Sequence, residues 1–320
     1  MLIVTNRNLN EENLSNGVGD HRAFGDEVNS KGPNEVRLAV ANKEGEKWKV
    51  ELVPEPAPED LRLENLPSKT MFAELRERLT RENKNCVFFV HGFNQSFKKN
   101  LEKSLKLEQE HNVEVVAFSW PSNPGGFKTR EYRTAKRTAM ASIGALDASL
   151  EKMSGYLKEP FNKERLASCN VKFSLLAHSL GNYLFQKYIV DSVYENETAI
   201  FENIILCQAD VDNRKHAQWV ERIEAGKRVY VTINENDYVL KWSDANFQRD
   251  RLGRTAKKLN ADNAVYFDFT DGVNVGKTHG LFYKKTNNVV KEVFTAMLNG
   301  EKGEYVEGMV FDSRSNSYRF

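Results

Sequence analysis

The chain is poor in the residues that would commit it to an unusual class. Only 8 of its 320 residues are proline and 3 are cysteine, which excludes a collagen-like or proline-rich rod and a disulfide-stapled scaffold. Cys86, Cys169 and Cys207 have no metal-type spacing and cannot all pair with one another. Cys86 and Cys207 fall in strand-like runs, where a thiol acts as a small hydrophobe; a nucleophilic cysteine needs partial exposure and an activating neighbour. An excess of charge of one sign is missing as well. The 46 basic and 45 acidic residues leave a net charge of +1, no footprint for nucleic acid or an anionic membrane. No apolar run could span a bilayer, and the apolar start of "MLIVTNRNLNEEN" is too short for a signal-peptide core. A reducing, cytoplasmic setting is therefore the default expectation. H-E-x-x-H, C-x-x-C and Walker-type loops are absent, so neither cofactor nor metal is expected. The glycine-rich "NGVGDHRAFG" neither follows a strand nor opens a clear helix, as a phosphate loop would.

What remains is an ordinary globular composition, 40% hydrophobic and 28% charged, with length enough for one large domain or two ordinary ones. The first part reads as β: "MLIVTN", then "EVRLAVA" and "KWKVELV" as an antiparallel hairpin around "NKEGE". The proline-rich "PEPAPEDLRLENLPS" connects it to a helix, "TMFAELRERLTREN". Short buried strands then alternate with amphipathic helices. "CVFFV", "VEVVAFSW", "KFSLLAH", "AIFENIILCQAD", "VYVTIN" and "AVYFDF" are the strands. Among the helices, "YRTAKRTAMASIGALDASLEKMSGYL" has one apolar stripe from Tyr132 to Leu157 and predicts a single long helix. The tail "EYVEGMVFDSRSNSYRF" predicts a hairpin. The fold class is thus α/β: a doubly wound, mostly parallel sheet with an antiparallel N-terminal edge and a C-terminal hairpin. We expect one domain over residues 1–320, with a β extension at 1–60 and a catalytic core at 80–300. Ligands in such sheets bind outside the carboxyl ends of the strands.

Ser179 stands at one such end, in "FSLLAHSLGNYLFQ", with Ala177 and Gly181 two positions to either side. A tight strand-to-helix turn pushes the hydroxyl outward and brings chain close on both flanks, so the flanks must be small. A serine can also merely cap a helix, and the pattern alone leaves that choice open. Three further features favour a nucleophile. "VFFVHGFNQSF" ends a strand in His91-Gly92-Phe93, so the Phe93 amide can join the Leu180 amide as a pair of oxyanion donors, with His91 as a brace. Asp237 follows "VYVTIN", and His279 lies in "GVNVGKTHGLFY" after the last core strand. A serine needs an imidazole to take its proton, and the imidazole needs a carboxylate to fix its tautomer. Asp210, Asp212, Asp268 and Asp271 are alternatives for the acid; His21, His111, His178 and His216 are expected at surface or structural positions. The basic "NFQRDRLGRTAKK" reads as a solvated excursion or small helix, the sharper alternative being a lip of Arg251 and Arg254 that attracts an anionic substrate.

With "HGFN", "AHSLGN", "NEND" and "THG" in this order, the chain resembles an α/β-hydrolase. It is more closely similar to an esterase-like bacterial group, domain of unknown function 900. That similarity takes in "VTNR", "FSWPS" and "QADVDN", and covers roughly residues 80–300. The resemblance implies Ser179 as nucleophile, Asp237 as acid and His279 as base, and no particular substrate. The expected activity is serine hydrolysis of carboxylic esters or related small acyl substrates. The alternative is an idle hydrolase fold used as a binding or scaffold module. No long insertion suggests a lid, so a fairly open pocket is expected, with "SNPGGFKTREY" as a segment that could fold over it. Oligomeric state is not legible.

Overall fold

The structure is a computed structural model that describes residues 1–54, 66–123, 125, 128–160, 162, 164, 170–247, 249–283 and 287–320. Cys169, most of the proline-rich connector and parts of "SNPGGFKTREY" lie outside the described residues. The strands are β1 (Leu2–Thr5), β2 (Arg7–Leu9), β3 (Leu14–Ser15), β4 (Val18–Gly19), β5 (Phe24–Val28), β6 (Arg37–Glu44) and β7 (Lys47–Leu52). They continue as β8 (Asn85–Val90), β9 (Val113–Ser119), β10 (Phe173–His178), β11 (Asn203–Cys207), β12 (Arg228–Ile233), β13 (Ala264–Asp268), β14 (Val310–Asp312) and β15 (Ser317–Arg319). The helices are α1 (Pro67–Glu82), α2 (Phe97–His111), α3 (Lys128–Ala141), α4 (Ile143–Lys158), α5 (Gly181–Asp191), α6 (Ala217–Val220), α7 (Tyr238–Phe247) and α8 (Asn288–Leu298).

Thirteen strands form one sheet in the order β14-β15-β13-β12-β11-β10-β8-β9-β1-β6-β7-β4-β3. From β13 to β1 every neighbouring pair is parallel, and the strands from β6 to β3 add an antiparallel edge. The C-terminal hairpin β14–β15 closes the other end against β13. The mixed, mostly parallel sheet is thus the one the sequence predicts. β2 and β5 form a separate ribbon that its pattern does not reveal.

Alternation along the buried strands feeds two cores. In β8, Cys86, Phe88 and Val90 face one layer with α1, α3, α4 and α5, while Val87 and Phe89 face the other with α2 and α8. The chain runs from β8 to β9 on one side and then returns to β10 on the other, so the strand order reverses between β8 and β10. Adjacent crossovers leave that point in opposite directions and open a crevice at the carboxyl ends, where Gly92 and Ser179 sit.

Two sequence expectations need correction. The single long helix is two, α3 and α4, broken at Ser142. The Asn6 side chain reaches Ser142 Oγ at 2.9 Å, and a Cβ on Gly144 would lie 2.4 Å from Asn34 Oδ1. Asparagines from the connections between the N-terminal strands wedge in where the stripe continues, which periodicity alone does not register. The basic excursion is not solvated throughout: Arg251 and Leu252 are buried, and Gly253 is threaded back to the sheet through bonds with Ala209 and Asn234.

Candidate active site

Ser179 has φ +55°, a left-handed conformation that is strained for a serine and forms the tight turn between β10 and α5. Main-chain bonds hold it there: its N–H donates to Cys207 O (3.0 Å), and its carbonyl accepts from Asp210 N (3.1 Å) and Asn182 N (3.0 Å). The small-neighbour requirement falls on two glycines. A Cβ on Gly181 would stand 2.5 Å from Val90 O, and one on Gly92 would stand 2.8 Å from Ser179 Cβ and 3.3 Å from its Oγ. Loop and elbow therefore touch, and Ser179 is only 3% exposed. That is tighter than the open pocket expected.

The loop carrying Phe93 is fastened from behind. His91 stacks on Trp120, accepts from the Trp120 N–H at Nε2 (3.2 Å) and so donates from Nδ1 to Gly92 O (2.9 Å). Burial, followed by the nearby Arg7 charge, pushes the His91 pKa well below its ordinary value, so the ring is neutral. Ser122 Oγ also donates to Gly92 O (2.8 Å), and the Asn94 N–H bonds Ser122 O (2.9 Å). The brace expected of His91 is present. The Phe93 and Leu180 amides donate to no acceptor among the described residues, which leaves two donors beside the serine.

Asp237, fully buried after β12, caps the first turn of α7 through Oδ1 and accepts from His279 Nδ1 through Oδ2 at 2.7 Å. With that proton on Nδ1, Nε2 is the free basic nitrogen. The other aspartates are engaged elsewhere. Asp210 holds Tyr132, Ser243 and Arg251; Asp212 pairs with Arg249; Asp268 and Asp271 pair with Arg319. Arg254 pairs with Asp244, so Arg251 and Arg254 form no free cationic lip. Ser179 and His279 form no hydrogen bond among the described residues, although they share one neighbourhood: the ring of His178, next to the serine, lies 4.8 Å from the His279 ring. His178 thus packs on the candidate base, rather than pointing away from it, with its pKa pushed well down by burial. His111 and His216 are structural, bonded to Thr295 and Phe282 O and to Asn213 O and Tyr266.

Two residues escaped sequence reasoning. Arg7, of "VTNR", is fully buried and donates to Ser119, Gly25, Asp26, Gln95 O and Trp120 O, tying together the loops after β8 and β9. Gln208, of "QADVDN", touches both Asp237 and the His279 loop. The signals for them are their place in the family-like stretches "VTNR" and "QADVDN" and, for Gln208, an amide right after a strand. A cavity of about 330 Å³ lies between the sheet and α1 and α4, but none of its lining residues belongs to this site. Among the described residues no group of three or more His, Cys, Asp or Glu side chains could hold a metal ion, and no helix is long and apolar enough to cross a membrane.

A family model described as alpha/beta hydrolase of unknown function (DUF900) matches residues 68–292. No curated protein matches the chain.

Proposed function

The chain belongs to this α/β-hydrolase family, and we propose that within it the protein is a serine hydrolase that cleaves carboxylic esters or related acyl substrates. Ser179 Oγ attacks the acyl carbonyl while His279 Nε2 takes its proton. Asp237 keeps the tautomer and stabilises the imidazolium that forms. The Phe93 and Leu180 amides receive the oxyanion, each such donor lowering the barrier by about 3 kcal/mol. The imidazolium then protonates the departing alcohol. A water, deprotonated by the same nitrogen, cleaves the acyl-enzyme and restores the serine. In this reading residues 1–320 act as one catalytic unit, and every group the chemistry needs is supplied by the chain.

The observation that carries the reading is the 2.7 Å bond between Asp237 and His279, the one contact of a candidate acid with that imidazole among the described residues. The unformed serine–histidine bond favours the other reading, an idle fold that only binds. Catalytic contacts of unliganded sites are often loose, however, and tighten around substrate. Incubation with a fluorophosphonate, read by intact mass, separates the two. A single adduct, lost in Ser179→Ala, together with turnover of short p-nitrophenyl esters, is expected. No adduct and no turnover would leave the binding module.

A further inference from the structure

Gln208 is the first residue beyond β11, fully buried, with φ +42°. A glutamine gains nothing from a left-handed backbone, so the surroundings must impose it. They do so from two sides. Its N–H bonds to Thr232 O on β12, and the turn at Gly253 presses so close that a Cβ there would stand 2.2 Å from Gln208 C and 2.4 Å from its Cα. The side chain is fully committed. Nε2 donates to Asp237 Oδ2 (2.5 Å) and Thr278 O (2.8 Å), and Oε1 accepts from the Gly280 N–H (2.6 Å) and the Leu281 N–H (2.9 Å). All four hydrogen-bonding positions of the amide are used, and a flipped amide would set oxygen against carboxylate. The residues flanking Gln208 hold the serine: Cys207 O accepts from Ser179 N, and Asp210 N donates to Ser179 O outside the following Ala209.

We infer that Gln208 is the positioning residue of the acid–base pair, a side chain that fixes both the Asp237 carboxylate and the His279 loop relative to the Ser179 elbow. The inference rests on the triad reading above. Asp237 Oδ2 receives two donors, the amide and the imidazole. The amide holds that oxygen where the ring needs it and shares its charge. Through Gly280 and Leu281 it grips the chain just after the histidine, and through Thr278 O just before it. Asn234 also donates to Thr278 O (3.0 Å), so the loop has a second tether but the carboxylate oxygen does not get its amide from there.

The isosteric Gln208→Glu turns the donor into an acceptor above the carboxyl pKa. Two carboxylates then face one another and must share a proton. In its protonated form the new acid can donate to Asp237 as the amide does. Of the other ionisable groups around this point, Lys103, lowered to about 8 by burial, is common to the wild type and the variant and cancels in their ratio, and the rest keep their charge near neutrality. Burial drives Cys207 up to about 12 and Tyr283 well above its ordinary value, it keeps His178 neutral, and Asp210 is paired with Arg251. What distinguishes the variant from the wild type across pH is then the introduced acid itself.

The test is the rate of fluorophosphonate labelling of the full chain across about pH 6 to about pH 8.5, beside circular dichroism to verify folding. We expect the rate of Gln208→Glu, relative to the wild type, to rise at least about tenfold as pH falls through that range. A purely structural lesion gives a ratio that does not change with pH, and that result overturns the inference. Gln208→Asn carries the test should the acid variant not fold. Asparagine accepts the left-handed backbone more readily than glutamine, yet its amide withdraws by one methylene. A folded Gln208→Asn is expected to label about 10- to 100-fold more slowly; labelling at the wild-type rate overturns the inference. Failure of the wild type itself to label removes the triad reading and this assignment together, whereas wild-type labelling with indifferent variants removes the assignment alone.

Discussion

A serine held at φ +55° is a local cost met by its neighbours, and the neighbours are where single substitutions will tell. Gly92→Ala places a methyl 2.8 Å from Ser179 Cβ and 2.9 Å from His178 O. Either the loop lifts, taking the Phe93 amide with it, or the serine turns. We expect a stability loss of about 1–3 kcal/mol and a much larger fall in labelling rate; an unchanged rate would place the oxyanion donors elsewhere. Asp237→Asn keeps the shape but offers the imidazole an amide, which can hold the wrong tautomer. A fall of about 10⁴-fold in kcat is expected, with KM little changed. Serine, aspartate and histidine stand out in the sequence as candidates because each has few chemical roles and the order of the three along the chain is informative. Gln208 was not. Its meaning lies in partners 29 and 72 residues away, and nothing in a glutamine's own surroundings points to them.

At the scale of elements, periodicity found the strands and helices wherever burial is set by one continuous face. It failed at Ser142, where the apolar stripe runs on but the Asn6 side chain intrudes from β1's end. It also missed β2, β3, β4 and β5, short strands built largely of polar residues and glycine that carry no apolar run. The α2–β9 unit offers a test of buried charge. Glu108 on α2 accepts from Val115 N, and its carboxyl is pushed up to about 7, first by burial and further by the neighbouring Glu114. The folded chain thus keeps a proton that the unfolded chain releases above its ordinary pKa near 4.5. Stability should fall as pH rises from about 4.5 to about 7 and level off beyond. Glu108→Gln removes this dependence while its oxygen can still accept from Val115. Urea unfolding should find the variant gaining about 1–3 kcal/mol on the wild type between about pH 5 and about pH 8. Parallel curves would mean that the carboxyl is ionised in the fold.

For the whole molecule, the span that matches the family model and the span that can work need not coincide. Residues 68–292 contain Ser179, Asp237 and His279 but leave out β1, which lies parallel to β9 inside the sheet. They also end within α8, ahead of the buried Val293, Phe294, Met297 and Leu298. Most telling is the loss of Arg7. Its guanidinium is buried, which lowers its pKa to about 10, and it spans Gln95 O and Trp120 O behind the loop that carries Phe93. Without it the Trp120 carbonyl loses its donor and Gln95 O keeps only the long bond from Ser122 Oγ (3.5 Å), at about 1–3 kcal/mol for each bond lost. A fragment of residues 68–292 is therefore expected to stay expanded and not to label. Arg7→Met in the full chain separates the two causes, since it keeps β1 while removing the cation. A folded variant weakened by about 2–5 kcal/mol and labelling markedly more slowly is expected. If it labels at the wild-type rate, the N-terminal strands support the sheet and contribute nothing to the site.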